Sequence, residues 1–404
     1  VKGVAMRETI DVLVSGGGVA GLIAAAGFGA LGLRVLCVDP APPITDAETA
    51  GADLRTTAFL QPSVGLLGEL GLWGRLAPHA TPLQVMRIVD AGGEGVPTPR
   101  VTHDFNASDV SDAPFGQNLP NWLLRREIVA HLDTLPNVEF LPGVGTARVL
   151  TRETAALVTL GNGRQVSARL LVAADGRNSP VRAAVGIGAR TIRYGQKALA
   201  FAVTHPVPHE NVSTEVHRSG GPFTLVPLPD RDGRPCSAIV WMERGPEAAR
   251  LAALPVPEFE AEMTARSAGL FGPLTLASRR TVWPIISQIA DAFTAERTVL
   301  MAEAAHVVPP IGAQGLNMSL ADLRALLDLA RGAPDTLGSP AMLAAYARGR
   351  RADVLARVTG IDILNRASMA GAQPLRDLRA RGLDALYSVA PMRKTLMRLG
   401  TGMT

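Results

Sequence analysis

The chain has 404 residues, 47% hydrophobic and 19% charged, which is apolar enough to build packed domains and excludes a disordered chain. Aromatic residues at 4% argue against a stacking surface for single-stranded nucleic acid, and the two cysteines, Cys37 and Cys236, sit in no metal-ligand or disulfide-framework spacing. The net charge of +4 is uneven: from Ala341 onward eleven Lys and Arg face four Asp, giving +7 there and −3 before it.

The first residues, VKGVAMRETIDVLV, lack the charged-then-apolar pattern of a secretory leader, and no apolar run is long and unbroken enough to span a bilayer. A reducing cytoplasm is the expected location. Ile10 to Val14 reads as a short strand, and Gly16, Gly18 and Gly21 follow it as G-x-G-x-x-G. A helix of small residues is expected from Leu22 to about Leu31, then a second strand from Arg34 to Val38 that ends on Asp39. Each part suits a dinucleotide. Gly16 permits the tight turn, Gly18 lets backbone approach a pyrophosphate, and Gly21 seats the helix on the sheet. The helix N-terminus offers free N–H groups to the anion, and Asp39 stands where a carboxylate accepts from a ribose. This motif alone leaves NAD and FAD open.

Further along, ADLRTTAFLQPSVGLLGELGLWGRL carries Arg55 ahead of an apolar helix, and NWLLRREIVAHL carries Arg125 and Arg126 at a helix start. A guanidinium is a natural phosphate clamp, although each of these alone reads equally as a surface ion pair. RLLVAADGRNSPVRAAVGI reads as a strand ending at Asp175-Gly176, with Ser179 and Arg182 opening a helix. ALAFAVTH, FTLVPLPD and CSAIVWME then read as short strands of an antiparallel sheet. LMAEAAHVVPPIGAQGLNMSLADLRALLDL runs from a strand ending at Val299-Leu300-Met301, through Pro309, Pro310 and a glycine loop, into a helix. His306 has no second ligand at metal spacing, so no metal is expected and a packing or hydrogen-bonding role is. In the tail, Leu375, Leu378, Leu386, Leu396 and Leu399 are interleaved with Arg and Lys. They either pack a terminal helix or meet an anionic bilayer.

Together, the GxGxxG unit, the Asp175-Gly176 turn and the segment at 300–329 resemble the para-hydroxybenzoate hydroxylase class of FAD-dependent aromatic monooxygenases. Residues 10–75, 165–187 and 280–330 carry most of the likeness, and the apolar helix that ends in Leu70-Gly71-Leu72-Trp73 is similar to the ubiquinone-biosynthesis hydroxylase branch. The resemblance implies an α/β fold: a Rossmann-like FAD-binding domain from residues 6–82, 121–187 and 284–335, an inserted antiparallel β-sheet substrate domain from 83–120 and 188–283, and C-terminal helices over 336–404. It places Gly16, Gly18, Gly21 and Asp39 on the FAD nucleotide, Arg55 and Arg125 (Arg126 as fallback) on its phosphates or ribityl chain, and Asp175 and Gly176 near its pyrophosphate. Glu303 then meets the ribityl chain, and Leu316 and Asn317 join the loop of Pro310, Gly312 and Gly315 at the flavin ring. No acid or base is assigned. The pattern has Gly-Asp where this chain has Ala302-Glu303, so FAD affinity is where the chain is expected to differ.

The chemistry implied uses bound FAD, NAD(P)H as electron donor and O2, hydroxylating an aromatic ring through a flavin C4a-hydroperoxide. The branch implies a polyprenylated phenol as substrate, peripheral membrane contact through the basic C-terminus, other ubiquinone-biosynthesis proteins as partners, and no nucleic acid. Three alternatives stay open: a soluble hydroxylase of a small phenol, a reductase of isoprenoid double bonds, and a non-catalytic FAD-binding scaffold.

Overall fold

The chain's first elements follow directly from its periodicity, as a computed structural model of the protein describes for residues 8–93 and 95–402. The expected domain limits at residues 6 and 404 lie outside the described residues. Strand Glu8–Ser15 sits at the centre of a sheet, paired in parallel with Gln165–Ala173 on one side and Val35–Asp39 on the other. Val138–Pro142 extends it in parallel beyond Val35–Asp39, and Thr298–Leu300 beyond Gln165–Ala173. These strands are almost continuously apolar because helices or loops cover both faces. Helix Val19–Ala30 is buried on nearly every side, from Gly21 through Gly29, which explains its uniformly small residues. It packs between helices Asn121–Leu132 and Gln314–Gly332.

A second, nine-stranded sheet takes its strands from three separated stretches. Its centre is antiparallel: Ala189–Thr204 pairs with Arg234–Arg244, which pairs with Pro222–Arg231, which pairs with Val212–His217. Val85–Asp90 joins this edge in parallel and Val101–Asn106 closes it. Helices Gly245–Ala253 and Val256–Arg266 cover one face, burying Ala248, Leu251, Phe259 and Met263 against Phe201 and Trp241. On the opposite edge, Thr281–Ala290 pairs with Ala189–Thr204 and with the short strand His306–Val307. This strand crosses the boundary expected at 283/284 yet belongs wholly to the second sheet. A small third sheet of Thr56–Leu60, Gly116–Pro120 and Thr81–Leu83 packs beside strand Pro222–Arg231 of the second.

Three helices end the chain: Pro340–Ser368, Gln373–Ser388 and Ala390–Thr401. The first buries Met342, Tyr346, Val354 and Val358 against the first sheet's core. The last two bury only Ala380, so they are held otherwise than by core packing. No helix among the described residues is long and apolar enough to cross a membrane.

Candidate functional site

At the end of strand Glu8–Ser15 the glycine turn is sterically obligatory. Gly16 has φ +116°, and a Cβ there would lie 2.3 Å from the Ala174 carbonyl oxygen; one on Gly21 would lie 1.9 Å from the Gly16 carbonyl oxygen. Gly18, by contrast, has open space where a Cβ would be, at the start of helix Val19–Ala30. The backbone therefore leaves a cradle at a helix N-terminus, suited to an anion. Asp39 closes the turn: the Gly17 N–H donates to its carboxylate at 2.6 Å and the Ala41 N–H at 2.8 Å.

Arg55 and Arg125 both approach a carboxylate that no sequence motif marks, Asp53. Arg55 donates to it in a fork, at 2.7 Å from Nε and 2.7 Å from Nη2, while Arg125 lies 3.6 Å away and Asn121 donates at 3.0 Å. Burial opposes the Asp53 charge, but Arg55, Asn121 and Arg125 outweigh it and hold the carboxyl below its ordinary range. Burial also opposes the Arg55 charge, and Asp53 and Glu303 more than compensate. Trp283 lies under the Arg55 guanidinium, 5.2 Å from its ring centroid. Arg126 points elsewhere, to Glu127 and the Trp122 ring.

Asp175 and Gly176 form the turn at the end of Gln165–Ala173, Gly176 with φ +83°. Ser179 caps the short helix Pro180–Ala184 by accepting from the Arg182 N–H. One Asp175 oxygen accepts from the Val181 N–H at 3.1 Å; the other is buried without a partner. Burial pushes the Asp175 pKa up, against the pull of Ser179 and the backbone N–H groups.

The Ala302-Glu303 turn has a specific geometry. Ala302 has φ +54°, the left-handed region that favours glycine. Its N–H donates to Asp322 at 3.1 Å. Asp322 is fully buried, a second carboxylate without a motif of its own. His306 lies 2.7 Å from it and Arg350 donates to it at 2.8 Å. Its charge thus fixes the turn and accounts for His306. Glu303 projects outward from the turn, exposed, into the same space that Arg55 faces. Among the described residues no group of His, Cys, Asp and Glu is arranged to hold a metal.

Pro310, Gly312, Gly315 and Leu316 all face that space, with Gly312 at φ +62° and Ala313 at φ +56° ahead of helix Gln314–Gly332. Asn317 does not. Its carbonyl oxygen accepts from the Leu60 N–H and the Ser63 hydroxyl, and its amide donates to the Ala58 and Ala313 carbonyls. It staples the loop and helix to strand Thr56–Leu60 rather than presenting a group to the ring.

These residues line one continuous cavity of about 1780 Å³. It begins at Gly16, Gly18 and Asp39, passes Arg55, Asp175 and Glu303, and follows Pro309–Leu316 to the second sheet at Met86, Val226 and Trp283. It then continues against the C-terminal helices, where Leu375, Leu378, Leu386, Leu396 and Leu399 face it. Those leucines are therefore not buried against the FAD-binding half; they are exposed, Leu378 at 65%. The near part is suited to FAD: a glycine cradle at a helix N-terminus, the Asp39 carboxylate beside it, an unpartnered buried Asp175 oxygen, and a second helix N-terminus at Gly315 and Leu316.

Residues 9–360 match the family described as FAD binding domain. The ubiquinone hydroxylase UbiL of Rhodospirillum rubrum is 32% identical over 98% of this chain and 90% of its own length. The 3-demethoxyubiquinol 3-hydroxylase of Escherichia coli is 23% identical over 98% of this chain and all of its own length. Among solved structures, PqsL of Pseudomonas aeruginosa in complex with 2-aminobenzoylacetate superposes with a TM-score of 0.79 at 23% identity, covering 93% of this chain and all of that one, a likeness of fold.

Proposed function

This chain belongs to the FAD binding domain family and is an FAD-dependent monooxygenase; from that premise we propose that it hydroxylates the ring of a polyprenylated phenol in ubiquinone biosynthesis. The observation that carries this reading is the single cavity, which joins a dinucleotide cradle to a long apolar extension. At about 1780 Å³ it exceeds the ~300–1,000 Å³ typical of one small-molecule site, leaving room beyond a flavin for a ring with a chain. The full-length likeness to UbiL supports the same substrate class.

In this reading Gly16, Gly18 and Gly21 shape the pyrophosphate seat and Asp39 holds the adenosine ribose. Arg55 and Arg125, held in place by Asp53, supply positive potential beside the phosphates. Asp175 lies near the pyrophosphate, and Glu303 accepts from the ribityl hydroxyl groups. FAD, reduced by NAD(P)H and reoxidised by O2, supplies the activated oxygen for an electron-rich ring. The protein's own contribution is positional. Val307, Pro309 and Ile311 put an apolar wall beside the reacting face and exclude water. Pro310 limits the approach of the ring, and the N–H groups opening helix Gln314–Gly332 favour negative charge there. Purified protein loaded with FAD should oxidise NAD(P)H in the presence of a prenylated phenol and O2 and yield a hydroxylated product by mass spectrometry. Turnover with small phenols only would favour the small-phenol hydroxylase, and protein that takes up no FAD would defeat the reading.

We also propose that the enzyme meets an anionic membrane from its cytoplasmic side through the basic tail. Arg381, Lys394 and Arg398 are exposed there, within the segment that carries +7. Reversing all three to Glu should release the protein from anionic vesicles in a flotation assay, and retained binding would remove the membrane contact from the proposal.

A further inference from the structure

We propose that Glu215, positioned by His217, is the catalytic base of this enzyme: it accepts the ring hydroxyl of the substrate and takes its proton as oxygen adds to the ring. This goes beyond the preceding function, which has no acid or base. It rests on that function for the reaction, not for the recognition of a hydroxyl by Glu215.

The pair sits on the cavity face of the second sheet. Strand Val212–His217 alternates. Thr214 and Val216 are fully buried, Val216 in the core beneath helices Gly245–Ala253 and Val256–Arg266, while Ser213, Glu215 and His217 line the cavity. The pairing register puts Val240, Thr224, Glu215 and Ile88 in one row across four neighbouring strands, and all four line the cavity. Met86 and Val226 belong to the same wall. A ring lying on this row meets apolar side chains with a single charge among them, Glu215.

Its partners set Glu215 apart from other carboxylates of the cavity wall. Asp53, Asp90 and Asp353 are each paired with two guanidiniums, Arg55 and Arg125, Arg100 and Arg379, and Arg350 and Arg357. An adjacent guanidinium holds a carboxylate in its charged form and weakens it as a base. Among the described residues no Lys or Arg pairs with Glu215; its partner is His217, whose Nε2 lies 2.7 Å from one carboxylate oxygen. Both side chains are 14% exposed, shielded yet reachable from the cavity. The second imidazole nitrogen, Nδ1, is buried without a hydrogen-bond partner, so Glu215 is the polar group that orients the ring. Charges on neighbouring elements are paired elsewhere. Asp90, opposite His217 in register, accepts from Arg100 and from Arg379 of the hairpin formed by the last two helices, and Arg366 is paired with Asp362.

In the step, a ring carbon bonds to one oxygen atom of O2 and is oxidised by two electrons; the electrons of NAD(P)H reduce the second oxygen atom to water. Positive charge spreads to the ring hydroxyl, which becomes strongly acidic. Its O–H bond breaks, the electron pair stays on the ring oxygen, and the proton goes to Glu215. The hydrogen of the oxidised carbon then leaves as a proton to solvent, and the ring oxygen recovers its own proton from Glu215. A carboxylate suffices as base because the proton moves only once the ring is charged.

The test uses FAD-loaded, full-length protein with 2-farnesylphenol and its methyl ether, which lacks the hydroxyl donor. In calorimetry, wild type should bind the phenol roughly tenfold more tightly than the ether, the scale of a hydrogen bond to a charged group. Glu215→Met, which removes acceptor and base together, should bring the two affinities level. Glu215→Gln keeps an acceptor but no base. It should retain a preference for the phenol and a KM near the wild-type value, with kcat lowered about 100-fold, the scale of base catalysis. His217→Phe should lose less in kcat than Glu215→Gln. FAD affinity, read by fluorescence, should match wild type in all three variants. If the preference for the phenol depends on Glu215 but no hydroxylated product forms, the preceding function fails and the hydroxyl site stands. The assignment is overturned if wild type binds phenol and ether alike, if Glu215→Met keeps the preference, or if Glu215→Gln keeps the wild-type kcat. A fall of FAD affinity in step with kcat would equally overturn it, by making the role structural.

Discussion

At the residue scale, the substituted turn divides into a costly half and a conservative half. Ala302 sits at φ +54°, where an L-residue's Cβ crowds its own carbonyl oxygen, a cost of about 1 kcal/mol that glycine avoids. The turn persists because Asp322 accepts the Ala302 N–H from a fixed, buried position. Ala302→Gly should therefore stabilise the protein by up to about 1 kcal/mol, partly offset by the added freedom of its unfolded chain, and thermal denaturation checks the sign. Glu303 is the other half. It keeps a carboxylate in the cavity on a longer arm, within the field of Arg55. Glu303→Ala should weaken FAD roughly tenfold or more in a fluorescence titration, the scale of a lost charged hydrogen bond, and Glu303→Asp should keep or improve it. Unchanged affinity in Glu303→Ala would place the ribityl contact elsewhere. The sequence alone exposes the mismatch, but not the sign of φ, which decides whether alanine is tolerated.

At the element scale, helix Gln314–Gly332 does more than point its N-terminus at a ring. Two of its buried polar side chains lock neighbouring elements: Asn317 binds strand Thr56–Leu60, and Asp322 binds the Ala302 turn, His306 and Arg350 of the next helix. Burial opposes the Asp322 charge, but His306 and Arg350 outweigh it and hold its pKa below the ordinary carboxylate value. A lowered folded-state pKa means the stabilisation is fully present above the unfolded value, near 3.9, and is lost as pH falls through the lower folded value. Asp322→Asn should cost about 3 kcal/mol near neutrality, because it removes the buried one of Arg350's two carboxylate partners, leaving it only Asp353 at 2.7 Å, and takes the charge from beside His306. Its deficit against wild type should stay constant down to about pH 4 and shrink only below that. Urea melts at a series of pH values test this, and a deficit that grows on acidification would contradict the assignment. The elements of this half are legible in the sequence because apolar strands, glycine turns and a capped helix are local signals. Long-range pairings are not: nothing near Asp322 in the sequence marks Arg350 as its partner, and Asp53 is hidden among loop residues. Strands Val85–Asp90 and Val101–Asn106 escape a sequence reading because Arg87, His103 and Asp104 interrupt their apolar pattern.

At the scale of the whole molecule, the tail poses a choice between core packing and a membrane face; its leucines are exposed and border the cavity, which opposes core packing. Periodicity identifies the apolar stripe but not whether protein covers it, and here it stays exposed. With Ala380 the sole buried residue of its last two helices, the hairpin is held to the second sheet mainly by polar contacts. Asp90, 1% exposed, accepts from Arg100 at 2.8 Å and from Arg379 at 2.7 Å; Arg100 also reaches Asp377 at 2.7 Å. Tyr387 stacks on His103 with ring centroids 3.9 Å apart, and its hydroxyl donates to the Asp104 carbonyl at 3.1 Å. Burial opposes the Asp90 charge, but Arg100, the Gly92 N–H and Arg379 prevail and lower its pKa, so this pin holds at neutral pH and loosens only as pH falls below the usual carboxylate range. Replacing Asp90 with Ala removes the carboxylate that both guanidiniums share, leaving Arg100 only Asp377 and Arg379 only the Ser368 and Arg218 carbonyls, at a cost of about 3 kcal/mol. Because few apolar contacts tie the hairpin to the rest, that cost should appear as local opening rather than global unfolding. Hydrogen exchange should accelerate across Gln373–Thr401 in Asp90→Ala while strands Glu8–Ser15 and Gln165–Ala173 keep wild-type protection. Equal loss of protection in those central strands would mean that the hairpin is part of the cooperative core and that its opening is not a separable motion.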